Sequence, residues 1–190
     1  MINSTSNKQV KRVAGLRGKA KARREEGMFV AEGLRMCKEL SPEETDILYV
    51  TEGFLENKEN LAWLETFRYE TVTDVVMKVM ADTQTPQGVL AVVKQKNYRL
   101  GDILDNSCGH MLLILETLQD PGNLGTILRA GEGAGITGII MNRETADIYN
   151  PKVIRSTMGS ILRVPFVYVD DLKEACSAVK NRESDFLPPI

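Results

Sequence analysis

The stretch MLLILETLQDPGNLGTILRAGEGAGITGIIM, residues 111–141, decides the fold. It opens with an unbroken apolar run at 111–115, the pattern of a strand buried on both faces. Asp120-Pro121-Gly122 then make a turn, and Asn123 is placed to cap a helix beginning at Leu124. The helix runs to a cluster of three glycines (Gly131, Gly133, Gly135), and GIIM at 138–141 supplies a second apolar strand. Strand, helix, strand in about thirty residues is the repeat of a parallel α/β sheet.

The alternation continues outward in both directions. Downstream, NPKVIRSTMGSILR at 150–163 reads as a loop and helix with Pro151 at an early helical position, and PFVYV at 165–169 as a strand. DDLKEACSAVKN at 170–181 starts a further helix, with Leu172, Ala175 and Val179 on its inner face. Upstream, the spacing predicts one helix over about 7–24, a strand at 28–32, a helix over 34–40 and a strand at 47–50. A helix over 54–67, a strand near 69–72, a helix from Asp74 and a strand at 88–94 complete that half. The polar, glycine-broken segment 94–110 is the place for a boundary, giving domains of 1–100 and 108–190.

Charge is distributed unevenly. The formal net charge is −2, yet Met1–Arg24 holds eight basic residues and no acidic one, leaving sixteen basic against twenty-six acidic in the remainder. A basic arm on an acidic body suits contact with nucleic-acid phosphates, and Lys8, Lys11, Arg12, Arg17, Arg23 and Arg24 are the candidate contacts. No aromatic residue interleaves them, so they would hold phosphates without stacking bases.

Several chemistries are excluded. With His110 the only histidine, neither a Ser-His-Asp nor a Cys-His nucleophile can be assembled. Cys37, Cys108 and Cys176 have neither the number nor the spacing of a disulfide framework or a metal site, which points to a reducing cytoplasm. There is no phosphate-binding Gly-Lys-Ser/Thr loop. The glycines at 131, 133 and 135 close a helix and precede a strand, the reverse of the order in a dinucleotide-binding fingerprint. No apolar run is long enough to span a bilayer, and the amino terminus is no secretory signal.

DPGNLGTILRAGEGAG and NPKVIRSTMGSILRVP resemble the first and second motifs of the SpoU (TrmH-like) branch of the SPOUT RNA methyltransferases. STSNKQVKRVAGLR, REEGMFVAEGLR and TQTPQGVLAVV resemble that family's small ribosomal-protein-like α/β substrate-binding domain. The resemblance implies a trefoil-knot α/β methyltransferase domain behind the substrate-binding one. It further implies a cytoplasmic homodimer, and methyl transfer from S-adenosylmethionine to a ribose 2′-hydroxyl of rRNA or tRNA. It makes Arg129 the catalytic arginine and Asn123 its positioning partner, and puts Asn150, Arg155 and Ser156 beside RNA and cofactor. Gly159 is expected to allow close packing, and Met158 and Ile161 to serve core or interface.

A guanidinium holds its proton too firmly to be a good base. Arg129 therefore fits orientation of the hydroxyl and stabilisation of a developing alkoxide. The helix start at Asn123 is expected to offer free N–H groups to a phosphate. The family pattern continues to an Asn-Glu-Gly-x-Gly motif and a Ser-Leu-Asn segment that make most of the cofactor pocket, and neither occurs in this sequence. The resemblance thus implies a catalytic domain incomplete at its carboxyl end, with cofactor-binding residues unassigned. Open apolar surface on MLLIL, GIIM and PFVYV is expected to follow. The alternative is an RNA-binding remnant without activity.

Overall fold

The computed structural model of the chain describes residues 1–105 and 111–186. Cys108 and His110 lie outside the described residues.

The basic arm forms two helices where one was expected: α1 (Lys8–Gly18) and α2 (Ala20–Glu26). Gly18, a weak helix former, ends the first, and Lys19 takes extended backbone between them (φ −128°, ψ 115°). The break lets Arg23 turn back and donate to the carbonyls of Leu16 (2.8 Å) and Arg17 (3.1 Å). Both carbonyls belong to the last turn of α1, which has no helical partners of its own.

Four strands follow: β1 (Met28–Glu32), β2 (Thr45–Thr51), β3 (Tyr69–Val72) and β4 (Val89–Lys94). Their order is β1-β4-β2-β3, with β4 antiparallel to both neighbours and β2 parallel to β3. Val30, Ile47, Tyr49, Leu90 and Val92 point to one face, which α1 and α6 (Asp74–Met80) cover with Val10, Val13, Leu16, Val76, Met77 and Met80. The alternate residues face α3 (Leu34–Lys38), α4 (Glu52–Leu55) and α5 (Lys58–Leu64). The helix expected over 54–67 is thus two helices, because Asn57 accepts from the Glu59 and Asn60 amides and caps a new start.

Helix α7 (Leu100–Leu104) leads to a three-stranded parallel sheet of β5 (Leu112–Leu115), β6 (Gly138–Asn142) and β7 (Phe166–Val169), in that order. Ile103, Ala175 and Val179 of α7 and α10 (Leu172–Phe186) cover one face, against Ile140 and Val167. The other face carries α8 (Pro121–Ala134) and α9 (Pro151–Thr157). The helix expected over 150–163 stops at Thr157, where Met158 and Gly159 adopt positive φ (52° and 96°) before a 3-10 turn at Ser160–Leu162.

One apolar cluster runs through both units. Phe29, Leu48 and Ala91 of the first sheet belong to the same buried group as Leu128, Ile139 and Val153 of the second. β6 is buried along its whole length, and β7 is buried or half-buried, so the open surface expected on all three strands is confined to β5.

Candidate active site at the α8–α9 face

Helix α8 begins three residues earlier than its sequence suggested. Asp120 is the cap: its Oδ1 accepts from the Asn123 amide at 2.7 Å, its carbonyl accepts from Leu124 at 3.1 Å, and Pro121 occupies the first turn. Asn123 therefore sits inside the first turn with an exposed side chain, and its own N–H is taken. A carboxylate stands where the phosphate was expected, so the helix start offers an anion little. Arg129 is the ninth residue of the helix, about 12 Å along its axis at 1.5 Å per residue, not near the start. It is exposed and has no partner among the described residues.

Gly122, Gly125, Arg129 and Glu132 recur at spacings of three and four, which puts them on one side of α8. That side meets α9. A Cβ at Gly125 would lie 2.6 Å from the Val153 carbonyl and collide with the Ser156 hydroxyl, so only glycine lets the two helices approach this closely. Ser156 turns its hydroxyl onto the carbonyls of Lys152 and Val153, both at 2.9 Å, and Asn150 caps α9 by accepting from Lys152 at 2.9 Å. Both residues build the helix. Arg155 pairs with Asp82 of the first unit at 2.7 Å. Gly159 abuts the Glu39 carboxylate of α3, so its small size serves the junction between the two units.

Loop 116–120, which leads into α8, is held by a residue that sequence reasoning missed. Asn142, at the end of β6, accepts from the Thr117 amide and donates to the Thr117 hydroxyl, each at 2.8 Å. It also accepts from Thr145 at 2.8 Å, and Thr117 sits at φ 54°. The available signal was its position, a polar residue directly after an apolar strand.

The arm residues separate into two groups. Arg12 pairs with Glu26 and Asp46, both at 2.7 Å, and Arg17 donates to the carbonyls of Val79 (3.1 Å) and Ala81. Arg23 is 3% exposed and pairs with Asp147 at 2.6 Å. This corrects the expectation for Arg23: a buried guanidinium committed to Asp147 and two carbonyls has nothing left for a phosphate. Lys8, Lys11 and Arg24 remain exposed, without partners among the described residues.

Two phenols fix the segment between β6 and α9. Tyr149 stacks near Phe29 (ring centroids 4.8 Å apart), accepts from the Lys96 amide at 2.7 Å and donates to the Lys96 carbonyl at 3.0 Å. Tyr168 donates to the Ala146 carbonyl at 2.5 Å and accepts from Ile148 at 2.9 Å. Burial pushes both phenols well above their ordinary value, so they remain neutral donors.

Residues 7–91 match the MRM3-like substrate binding domain, and residues 110–187 match the SpoU rRNA methylase family. This chain joins an MRM3-like substrate-binding domain to a SpoU domain. The 23S rRNA (guanosine(2553)-2'-O)-methyltransferase RlmP of Bacillus subtilis is 32% identical over 108 residues, covering 54% of this chain and 41% of that protein. An uncharacterised tRNA/rRNA methyltransferase of Synechocystis sp. is 32% identical over 176 residues, covering 86% of this chain and 60% of its own. The chain thus spans less than two thirds of the curated relatives it matches. An AdoMet-bound rRNA methyltransferase from Sinorhizobium meliloti superposes with a TM-score of 0.79 at 29% identity, over 94% of this chain and 68% of that one. The SpoU methyltransferase AviRb from Streptomyces viridochromogenes shares the fold, with a TM-score of 0.81 at 24% identity over 96% and 70%.

The SpoU domain is pinned to the substrate-binding domain at four ion pairs or stacks: Arg23–Asp147, Arg155–Asp82, Arg163–Glu39 and Phe29–Tyr149. Two cavities open on the substrate-binding domain, and one of them reaches that junction. One of about 1000 Å³ lies in the substrate-binding domain between α3, α6 and residues 84–88. The other, about 380 Å³, lies between that domain and α9. Among the described residues, no three His, Cys, Asp or Glu side chains are placed to hold a metal ion, and no helix is long and apolar enough to cross a membrane.

Proposed function

We propose that the chain belongs to an RNA 2′-O-methyltransferase that moves a methyl group from S-adenosylmethionine to a ribose hydroxyl of rRNA or tRNA. It acts in the cytoplasm as a homodimer built through the SpoU domain. The observation that carries this reading is Arg129, an exposed guanidinium without a partner among the described residues, on a helix whose position is set by the Gly125 contact with α9. Asn123 lies on the same helix with its side chain exposed.

Arg129 donates to the 2′-oxygen and stabilises negative charge as that oxygen loses its proton. The proton itself leaves to water or to an RNA phosphate. Asn123 has both a donor and an acceptor with which to orient the ribose. Lys8, Lys11 and Arg24 hold outlying phosphates, and Asn150, Arg155 and Ser156 shape the wall beside the strand.

S-adenosylmethionine supplies an electrophilic methyl group on a sulfonium when bound. The two cavities described above lie along the substrate-binding domain, and neither is lined by β5, Asn123 or Arg129. That placement leaves a second reading, an RNA-binding chain without catalysis of its own. Incubation with RNA and methyl-labelled S-adenosylmethionine separates the two. Label that enters RNA, protects one phosphodiester from alkali and is lost in Arg129→Ala supports the enzyme. RNA binding with neither label nor micromolar affinity for the cofactor, about −8 kcal/mol, supports the second reading.

A further inference from the structure

We propose that the groove running from the substrate-binding domain onto α9 seats a single-stranded segment of RNA, with Arg35, Lys38 and Lys78 supplying its phosphate contacts. The inference rests on the chain being an RNA-acting protein and names where on it the strand lies.

The larger cavity has the make-up of a single-strand site. Arg35, Lys38 and Lys78 stand at its edge, exposed and without partners among the described residues. The amides of Asn57, Gln84 and Gln87 add neutral donors and acceptors, while Phe54 and Met77 lie buried beneath as an apolar floor. One carboxylate, Asp74, faces three cations. Cations at the rim reach phosphates, and an apolar floor accepts bases of any identity. The contrast with the arm is direct, because Arg12, Arg17 and Arg23 are all engaged inside the fold.

The groove also leads somewhere. The smaller cavity shares Arg35, Thr85 and Gln87 with the larger one and ends on Ile154 and Arg155 of α9 and on Met158 just beyond it. Gln87 fixes the shared wall by accepting from the Leu34 amide at 2.9 Å. Glu32 and Asp82 also line the smaller cavity, but each is engaged: Glu32 accepts from the Asp82 (2.6 Å) and Thr83 amides, and Asp82 from Arg155. A phosphate arriving there competes with Asp82 for Arg155. The two cavities measure about 1000 and about 380 Å³ and share the Arg35–Gln87 wall. The groove delivers the strand to the helix packed against the one bearing Arg129.

The test uses the full chain and a short fluorescein-labelled RNA, followed by anisotropy over a series of salt concentrations. R35A/K38A should make the log–log salt slope shallower by about 1.4 units, at roughly 0.7 per single-strand phosphate contact. K173A/K180A, which removes the same charge from α10, should leave the slope unchanged. D74N should tighten binding about threefold by removing the one opposing charge. Urea midpoints matching the wild type confirm that these exposed substitutions leave the fold intact, and D74N reads the groove through a gain. A slope for R35A/K38A equal to that of wild type overturns the groove while leaving RNA binding in place. A wild-type chain that binds no RNA at low salt overturns both this proposal and the function above. Equal binding of a hairpin with the same variant sensitivity overturns the single-strand assignment. Binding of polyglutamate but not RNA, with that sensitivity, makes the occupant an acidic protein segment.

Discussion

Arg23 lies buried at the junction of the two domains, its Nη2 donating across 2.6 Å to Oδ2 of Asp147, a residue 124 positions away. The same guanidinium closes the last turn of α1 through Leu16 and Arg17. One side chain from the basic arm thus joins helix capping to domain docking. Asp147 in turn accepts from the Tyr149 amide at 2.9 Å, so the pair also holds the segment that enters α9.

Removing Arg23 should therefore act on stability and leave RNA affinity alone. Breaking a buried pair strands the partner charge at a cost of about 3–5 kcal/mol. Asp147 keeps some contact with water, so Arg23→Ala should lower unfolding free energy by about 3 kcal/mol in urea titrations, the low end of that range. The neighbouring Arg24→Ala, on the exposed side, should shift the midpoint negligibly. In salt-dependent RNA binding, folded Arg23→Ala should keep the wild-type slope, and a slope shallower by about 0.7 would mean that Arg23 reaches a phosphate after all.

The α8–α9 contact gives a second expectation. Gly125→Ala places a methyl group against both the Ser156 hydroxyl and the Val153 carbonyl. Overpacking of this kind costs about 1–3 kcal/mol, and here it also moves the helix that carries Arg129. Adding Ser156→Ala removes the hydroxyl clash but leaves the backbone oxygen at 2.6 Å. The double variant should recover part of the lost stability and not all of it. Full recovery would show that the side chain alone sets the separation.

Acid should weaken the contact between α8 and the turn after α9 through Glu132. The hydrogen bond from Arg163 holds this carboxylate below its ordinary value of 4.5, with Ser160 adding a second donor at 2.5 Å. A depressed carboxylate contributes stability that is fully present above its unfolded value and lost as pH falls through the folded one. Wild type should thus exceed Glu132→Gln in thermal stability at neutral pH, and the gap should close progressively below about 4.5. Arg163 is half exposed, so the gap at neutral pH should stay within about 1 kcal/mol and shrink in salt.

What was legible in the sequence was whatever short-range chemistry decides. MFVAE and YETV form strands within the expected bounds because apolar and β-branched residues sit between turn or polar residues. The start of α8 was misplaced because Asp120 and Asn123 are both good caps, and proline at position 121 favours the earlier one. Charge was legible, its destination was not: nothing local distinguishes Arg23, which meets Asp147 across the fold, from Arg24, which meets water. The order β1-β4-β2-β3 and the groove around Arg35 likewise depend on contacts between distant segments. The resemblance named the helix that carries Arg129, but the contact that positions it, Gly125 on Val153 and Ser156, exists only once α8 and α9 are packed.

The edge of the second sheet gives the last expectation. Among the described residues β5 pairs with β6 alone, and its apolar side chains are only partly covered, with Ile114 39% exposed and Met111, just before the strand, 53%. An apolar edge with unpaired N–H and C=O groups is a template for another chain. The chain should therefore associate in a concentration-dependent manner through β5, while the buried strands β1, β2 and β4 stay unaffected. Ile114→Lys puts a charge on that edge at a position that already meets water, so it should lower association without lowering the urea midpoint. Light scattering over a protein dilution series reads the first effect, and hydrogen exchange reads the second: β5 amides should exchange well ahead of those in β4. Association unchanged in Ile114→Lys, or β5 amides as slow as those of β4, would place the contact elsewhere on the molecule.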